Sequence, residues 1–519
     1  MNDFPWLTTL GVVPLVGAAV VAAVPKGREV LAKQLALAFS LVALVIVVVM
    51  ALQFDANSSA PFQFVESHTW IAQFGISYAV GVDGIALVLL ALLASLVPVV
   101  ILAGWHDADA GRHRVQTFFA LFLALEASVV FVFAATDLFL FYVAFEVMLI
   151  PVYFLIGLYG GGQRTYAAVK FLLYSLLGGL ILLAGLISLY VVSARELGQG
   201  TFDVTALAGL DIDPTTQKWL FAAFFFAFAV KAPMFPVHTW LPDATAAGTP
   251  GTNTLVVGVL DKVGTFGMIR LCLPLFPDAS QWAAPFVVIL AVVSVIYAGL
   301  VAIGQTDMNR LVAYVSVSHF GVIVLGIFAF TTLGGSGSTF YMVAHGLSAA
   351  ALFLTVGFLV RRRGSAQIGH YGGVARVAPL LAGVLLVAGL SSLAMPGLAG
   401  FVGELTSLVG AYPRWPVAAV IAVLGIVLSA LYILQMYKRV AQGPETENVK
   451  GLVDLLPREA WAVAPILALT IVAGVFPQPI FNVVNPAVES VLEQVGAPPI
   501  EPSVPAVGVG ATDLEGAEQ

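Results

Sequence analysis

One pattern restricts this chain more than any other: a run of about twenty apolar residues recurs fourteen times along it. The runs fall at roughly 5–24, 31–53, 83–103, 114–134, 137–158, 166–192, 218–240, 251–275, 282–303, 309–331, 338–360, 379–409, 415–437 and 459–477. A helix of that length covers the roughly 30 Å hydrocarbon core of a bilayer. With 60% hydrophobic and only 10% charged residues in 519, the balance excludes a soluble globular protein. The expected fold is an all-α polytopic membrane protein of about fourteen transmembrane helices. The first run follows Asp3 with no basic stretch before it, so it reads as a retained helix and not as a cleaved signal.

The connections leave no room for a separate domain. The longest are about 54–82, 193–217, 361–378 and 438–458, and the tail after Phe476, rich in proline, glycine and acid, is expected to be extended. A single cysteine, Cys272, excludes an internal disulfide framework and any cysteine-held iron–sulfur centre. No phosphate-loop or dinucleotide motif is visible. The net charge of −7, spread over loops and tail, carries no nucleic-acid signal.

Assigning alternate loops to opposite sides tests the topology. Fifteen lysines and arginines fall in one set, among them Lys26, Arg28, Arg112, Arg361, Arg362, Arg363, Lys450 and Arg458. Only Arg195, Lys218, Arg270 and Arg414 fall in the other, and three lysines lie inside spans. This bias supports an even helix count and puts both termini on the non-cytoplasmic side.

Within the spans, FAVKAPMFPVHTWLPD (228–243) stands out. Lys231 sits in an apolar run just before Pro233 and Pro236. A charge at mid-membrane depth costs roughly 2.5–3.5 kcal/mol, and the prolines must interrupt the helix ladder. Seven more ionisable residues lie at similar depth: Glu126, Glu146, Lys170, Lys262, His319, His345 and Glu404. Any one of them reads equally well as a buried group satisfied by a neighbour. Eight of mixed sign on successive helices favour an ion pathway, where a carboxylate beside a lysine lowers the cost of both.

Their spacing suggests duplication. Glu146 and His319 are 173 positions apart, as are Lys231 and Glu404, while Lys170 and His345 are 175 apart. The same 173 step carries Lys262 to Gln435, and Thr136-Asp137 and Thr306-Asp307 open the two blocks. Helices 4–8 and 9–13 therefore read as two five-helix copies, the second inverted because five is odd. Breaks are expected in helix 7 and in helix 12, at MPGLAGFVGEL (395–405). The expected division is 1–110 for helices 1–3, 111–278 and 279–440 for the two copies, and 441–519 for helix 14 and the tail.

The motifs TDLFLFYVAFEVMLIPVYFLIG (136–157), FAVKAPMFPVHTWLPDA (228–244), TDMNRLVAYVSVSHFGVIVLGI (306–327), MVAHGLSAAALFLTVGFL (342–359) and MPGLAGFVGEL resemble the antiporter-like membrane subunits of respiratory complex I, the NADH–quinone oxidoreductase. Glu404, where lysine is usual in the L and N types, points to the M type. The resemblance covers nearly all of 80–440 and implies roles. Glu146 pairs with Lys231, Lys262 links two half-channels, and Glu404 ends the exit half-channel. His319, His345, Lys170 and Glu126 are supporting residues. It also implies no redox cofactor in this chain. FMN, iron–sulfur clusters and quinone belong to partner subunits, with L-type and N-type neighbours in a bacterial plasma membrane.

Two departures stand against that pattern. PDATAAGTP (242–250) lacks the loop histidine and glutamate usual in the family, and Asp261 replaces a leucine before Lys262. Adjacent helical residues project about 100° apart, so Asp261 need not reach the lysine. Easing the nearby positive charge and facing a neighbouring subunit both stay open. The alternative function is a subunit of a multi-subunit sodium/proton antiporter, and a third reading is a scaffold with a relict channel.

Overall fold

The computed structural model describes residues 4–58, 60–109 and 113–497, so Arg112 of the basic set and the tail beyond 497 lie outside the described residues. Helices α1 (Trp6–Ala23) and α2 (Glu29–Gln53) precede an antiparallel hairpin, β1 (Gln63–Ile71) and β2 (Ile76–Val82), inside the connection read as a loop. Next come α3 (Gly84–Ala103), α4 (Val115–Ala134), α5 (Leu138–Tyr159) and α6 (Arg164–Leu197). The seventh segment is two half-helices, α7a (Pro214–Lys231) and α7b (Trp240–Ala247). Then follow α8 (250–275), α9 (Pro277–Ile303), α10 (Met308–Ile327) and α11 (Thr332–Arg363). The twelfth is again split, into α12a (Pro379–Ser392) and α12b (Ala399–Ala411). The chain continues through α13 (Pro416–Ala441), α14 (Pro457–Val475) and α15 (Gln478–Val495). Among the described residues eleven helices are long and apolar enough to cross a membrane unbroken.

Burial separates centre from rim. In α10 and α11, 89% of the apolar stretch is covered by protein, against 28% in α2 and 33% in α13 and α14. A helix apolar on every side must be buried or face lipid, and both kinds occur here.

Loop contacts sort the two ends of the bundle. At one end Arg114 Nη2 donates to Val24 O (3.0 Å), Lys33 pairs with Asp109 (2.5 Å), and Arg361 with Asp107 (3.3 Å). Arg458 Nη1 donates to Leu102 O (2.7 Å) at the same end. At the other end Arg270 pairs with Asp83 (2.6 Å), and Gln281 Nε2 donates to Val495 O (2.8 Å). Burial pushes the Asp107 carboxyl up to about 6, against the pull of Arg361 and Arg458. A carboxyl raised above its ordinary 3.8 stabilises the fold fully below that value and loses the contribution as pH rises through about 6. Asp107→Asn should therefore flatten the fall in thermal midpoint between about pH 4 and 6. A slope equal to the wild type's places that dependence elsewhere.

Helix α15 corrects the expectation of an extended tail after Phe476. Val484, Val488, Val491 and Val495 recur at helical spacing and are buried, and Phe481 stacks on Phe340 of α11 at 5.1 Å. The proline and acid content hides this stripe from a compositional reading.

Two hydrogen-bond patterns occur twice. Asp137 caps α5 and Asp307 caps α10. Beside the first, Leu138 N donates to Phe202 O (2.8 Å) and Val204 N to Thr136 O (3.1 Å). Beside the second, Met308 N donates to Ala366 O (3.0 Å) and Ile368 N to Thr306 O (2.8 Å). At the breaks, Ala232 N donates to Phe228 O (2.7 Å) and Met234 N to Ala229 O (3.0 Å). The counterparts are Leu393 N to Gly389 O (3.0 Å) and Met395 N to Leu390 O (3.0 Å).

These landmarks correct the register of 173. The capping aspartates are 170 apart and the breaks 161 apart. Lys231 is the last residue of α7a before its break and Ser392 the last of α12a before its own, while Glu404 lies in the half-helix beyond the second break. Gln435 is exposed on α13 and does not face the interior. The loops between landmarks differ in length, so no single offset runs through both blocks.

Candidate proton pathway

The site is built around the break after α7a. The helix ends at Lys231, and the indole of Trp240 on α7b donates to Val230 O (2.9 Å), satisfying one of the carbonyls a helix end leaves open. The ammonium of Lys231 has no hydrogen-bond partner among the described residues. It lies 4.9 Å from the centre of the Phe145 ring and 5.7 Å from that of Phe171. Two aromatic faces and the negative end of a helix dipole are what hold the charge there.

Glu146 on α5 is half-buried. Its Oε1 fills a notch left by Gly179 of α6, where a Cβ would lie 1.7 Å from it. Glu146 and Lys231 interact electrostatically but make no ion-pair contact in this structure, so the pairing expected from sequence is not formed here. The carboxylate points toward α6 while the ammonium lies under the rings.

Lys262 on α8 is the most connected group. Its Nζ lies 2.9 Å from Asp261 Oδ1, 2.5 Å from Val257 O and 2.7 Å from His345 Nδ1 on α11. Helix α8 is not regular: Val256–Leu260 and Met268–Cys272 are π-helical. The amide of Asp261 donates to Val256 O (3.1 Å), one residue beyond its α-helical acceptor. The widened turn decides one question left open by sequence, since Asp261 touches Lys262 directly.

From His345 the row continues. The ring of His319 on α10 meets that of His345 edge to face at 5.4 Å and stacks on Tyr341 at 5.6 Å. Tyr341 Oη donates to Glu404 Oε2 (3.1 Å) on α12b. Lys262, His345, His319 and Glu404, named from sequence, are thus brought into one line, with Tyr341 as a link that sequence reading missed.

Two supporting candidates sit otherwise. Lys170 pairs with Asp243 of α7b (2.6 Å), whose other oxygen takes Arg310 of α10 (2.6 Å), so it belongs to a three-residue tie between helices. Glu126 on α4 is buried, with both oxygens unpartnered and no hydrogen bond to the other candidates. His238, also missed, lies buried in the α7 break among Phe235, Tyr297 and Tyr314, both ring nitrogens unpartnered. Its signal was its place in the interrupted segment. Among the described residues no group of three or more metal-ligating side chains is gathered.

Residues 135–429 match the family described as NADH:quinone oxidoreductase/Mrp antiporter, TM. NADH-quinone oxidoreductase subunit M of Mycobacterium tuberculosis (strain ATCC 25618 / H37Rv) is 48% identical, with 99% of both chains covered. The protein of that name from Rickettsia prowazekii (strain Madrid E) is 39% identical over 90% of this chain and 94% of its own. A chain of respiratory complex I from Thermus thermophilus superposes with a TM-score of 0.85 at 30% identity, covering 95% of this chain and all of that one. A chain of the Mrp complex from Dietzia sp. DQ12-45-1b shares the fold, with a TM-score of 0.83 at 23% identity over 95% of this chain and 100% of its own. The chain belongs to the NADH:quinone oxidoreductase/Mrp antiporter membrane family, and within it to the group of NADH-quinone oxidoreductase M subunits.

Proposed function

We propose that this chain carries protons across a bacterial plasma membrane as the M-type membrane-arm subunit of an NADH-quinone oxidoreductase. The observation that carries the pathway is the row of buried neighbours from Lys262 through His345, His319 and Tyr341 to Glu404, hydrogen-bonded at its two ends and joined by ring contacts at His319, whose nitrogens have no hydrogen-bond partner among the described residues. Glu146 and Lys231 stand at its other side, with Lys170, Glu126 and His238 in support. Electron transfer takes place elsewhere. FMN, iron–sulfur clusters and quinone belong to partner subunits, and L-type and N-type chains flank this one. The basic end of the bundle faces the cytoplasm, leaving both termini outside it.

Blocks α4–α8 and α9–α13, residues 111–278 and 279–440, are read as two inverted copies, supported by the capping and break patterns that recur in each. Each then supplies one half-channel. In the proposed cycle Glu146 and Lys231 alternate between the separated arrangement seen here and a close pair. Forming or losing one buried ion pair is worth about 3–5 kcal/mol, and moving one charge against about 150 mV costs about 3.5 kcal/mol. The magnitudes match. The sodium/proton antiporter reading rests on shared fold at 23% identity, against 48% over the whole chain for the M subunits.

The test is reconstitution of the whole complex carrying Glu146→Gln or Lys231→Ala, following quinone reduction and vesicle acidification together. Both rates should fall at least fivefold. Assembled complex that matches wild type in both measures removes these residues from the pathway.

A further inference from the structure

The centre of α8 holds a carboxylate that the pathway above does not use. Asp261 is fully buried, and its Oδ1 stands 2.9 Å from Lys262 Nζ. Successive residues of a regular α-helix project about 100° apart. The π-helical stretch ending at Asp261 opens the turn, and the adjacent side chains meet. A buried carboxylate costs several kcal/mol unless it is paired. Here the partners are the Lys262 ammonium and the Ser316 hydroxyl on α10, whose Oγ donates to Oδ2 at 3.4 Å.

Position gives the carboxylate a direction. Gly264 lies three residues on and so shares a face of α8 with Asp261. A Cβ on Gly264 would stand 2.5 Å from Ala232 N, the residue directly after Lys231. Asp261 thus lies one helical turn from the place where α8 packs on the end of α7a, its carboxylate turned to Ser316 on α10, while Lys262 turns to His345 on α11. The titratable groups on the helices packed around this stretch are Lys231 on α7a, His319 on α10, His345 and Tyr341 on α11, and Glu126 on α4. Helix α3 offers Leu92 and Leu96 against Gly346 and Gly258.

We propose that Asp261 is a proton-relay residue on the Lys231 side of Lys262. This rests on the pathway reading. The carboxylate accepts a proton released from the Lys231 side and becomes neutral. Lys262 gives its own proton to His345 Nδ1 and is left as the amine, which then takes the proton from the Asp261 carboxyl, so that the ammonium and the carboxylate are both regenerated. One proton enters and one leaves, with no other reactant. Lys262 then has a proton source on one side and an acceptor on the other, which gives the transfer a direction that a lone buried amine lacks.

The experiment uses the complete complex in phosphatidylethanolamine–phosphatidylglycerol vesicles, with Asp261→Asn, Asp261→Leu and Asp261→Glu. NADH–quinone turnover and internal acidification are followed from about pH 6 to 9, so that both limbs of the pH–rate profile are compared. The Asn and Leu variants should lose at least fivefold in acidification rate at the alkaline end and less at the acid end. Their alkaline limb should move down by roughly one pH unit, about what loss of one counter-charge brings. The Glu variant should keep half the rate or more. A purely structural Asp261 instead gives equal loss at every pH with no rescue by glutamate, and that result overturns the proposal, as does a wild-type profile in the Asn and Leu variants. A neutral Asp261→Asn beside an impaired Lys231→Ala sinks this inference alone, whereas both neutral sinks the pathway with it. Should the Asn and Leu variants not assemble, Ser316→Ala must move the alkaline limb the same way, and an unmoved limb overturns the proposal.

Discussion

A complex carrying Lys262→Met is expected to assemble, turn over slowly and acidify vesicles at least a hundredfold more slowly than wild type. Methionine fills most of the lysine's volume without the ammonium, so the packing against Phe320, whose ring centre lies 5.2 Å from Nζ, is largely kept. The contacts to Asp261, Val257 O and His345 are all lost. Asp261 takes up a proton and becomes neutral, which is cheaper than a lone buried charge. The fold survives, but no group then carries positive charge between the α7 break and His345. A charge crossing that gap unsupported faces a penalty of roughly 3 kcal/mol or more, and each 1.4 kcal/mol is about tenfold. The measurement is acidification normalised to assembled complex. A rate within threefold of wild type would mean that protons bypass α8.

The second large effect is structural. Gly264→Ala should prevent assembly or lower the thermal midpoint of the complex sharply. A Cβ there would stand 2.5 Å from both Ala232 N and Phe228 O, and 2.7 Å from Ala232 Cβ. Those are mostly backbone atoms at the end of α7a, so no flexible side chain can yield. Overpacking by one methyl commonly costs 1–3 kcal/mol when side chains adjust, and here a half-helix must move. Gly383→Ala on α12a is the control, because nothing lies within 4 Å of its Cβ. Glycine to alanine in an open helix position stabilises by roughly 0.5–1 kcal/mol. Equal stability of the two variants would mean that α7a and α8 are looser than their contact implies. Residual assembled Gly264→Ala should also translocate poorly, since the displaced residue adjoins Lys231.

Much of the molecule is legible in its sequence because lipid allows few solutions. Backbone groups in hydrocarbon must be satisfied within the segment, so each apolar run of membrane-spanning length becomes a helix. The price of a buried charge likewise marks Lys231, Lys262, Glu146 and Glu404 without any coordinates. The prolines announce the broken seventh helix, and Pro396 the broken twelfth. The hairpin and α15 were less visible. Gln63–Val82 is short and lies between two strong apolar signals, and α15 shows its valine stripe only once its proline is accepted inside a helix.

Partnership is where sequence reasoning reached its limit. The separation of 173 suggested that Lys231 and Glu404 are equivalent, yet the breaks repeat at 161, because loops absorb insertions that hydrogen-bond geometry does not. Lys170 is legible as a charge within a span, but its tie through Asp243 on α7b to Arg310 is not. His238 and Tyr341 carry no spacing signal, since an unpartnered imidazole or a bridging phenol is recognised only by what surrounds it.

The chain's order of apolar runs, charges and prolines by itself determined a polytopic helical bundle with two broken helices and a set of buried ionisable groups. Those properties depend on the cost of transferring each residue into lipid, which is local. Only the tertiary structure decided which groups touch. Asp261 reaches Lys262 because a π turn changes the angle between neighbours, and Glu146 stands apart from Lys231 because Gly179 on another helix makes room for it. Contacts of a few ångströms depend on how helices distant in sequence pack, and no single segment holds that information.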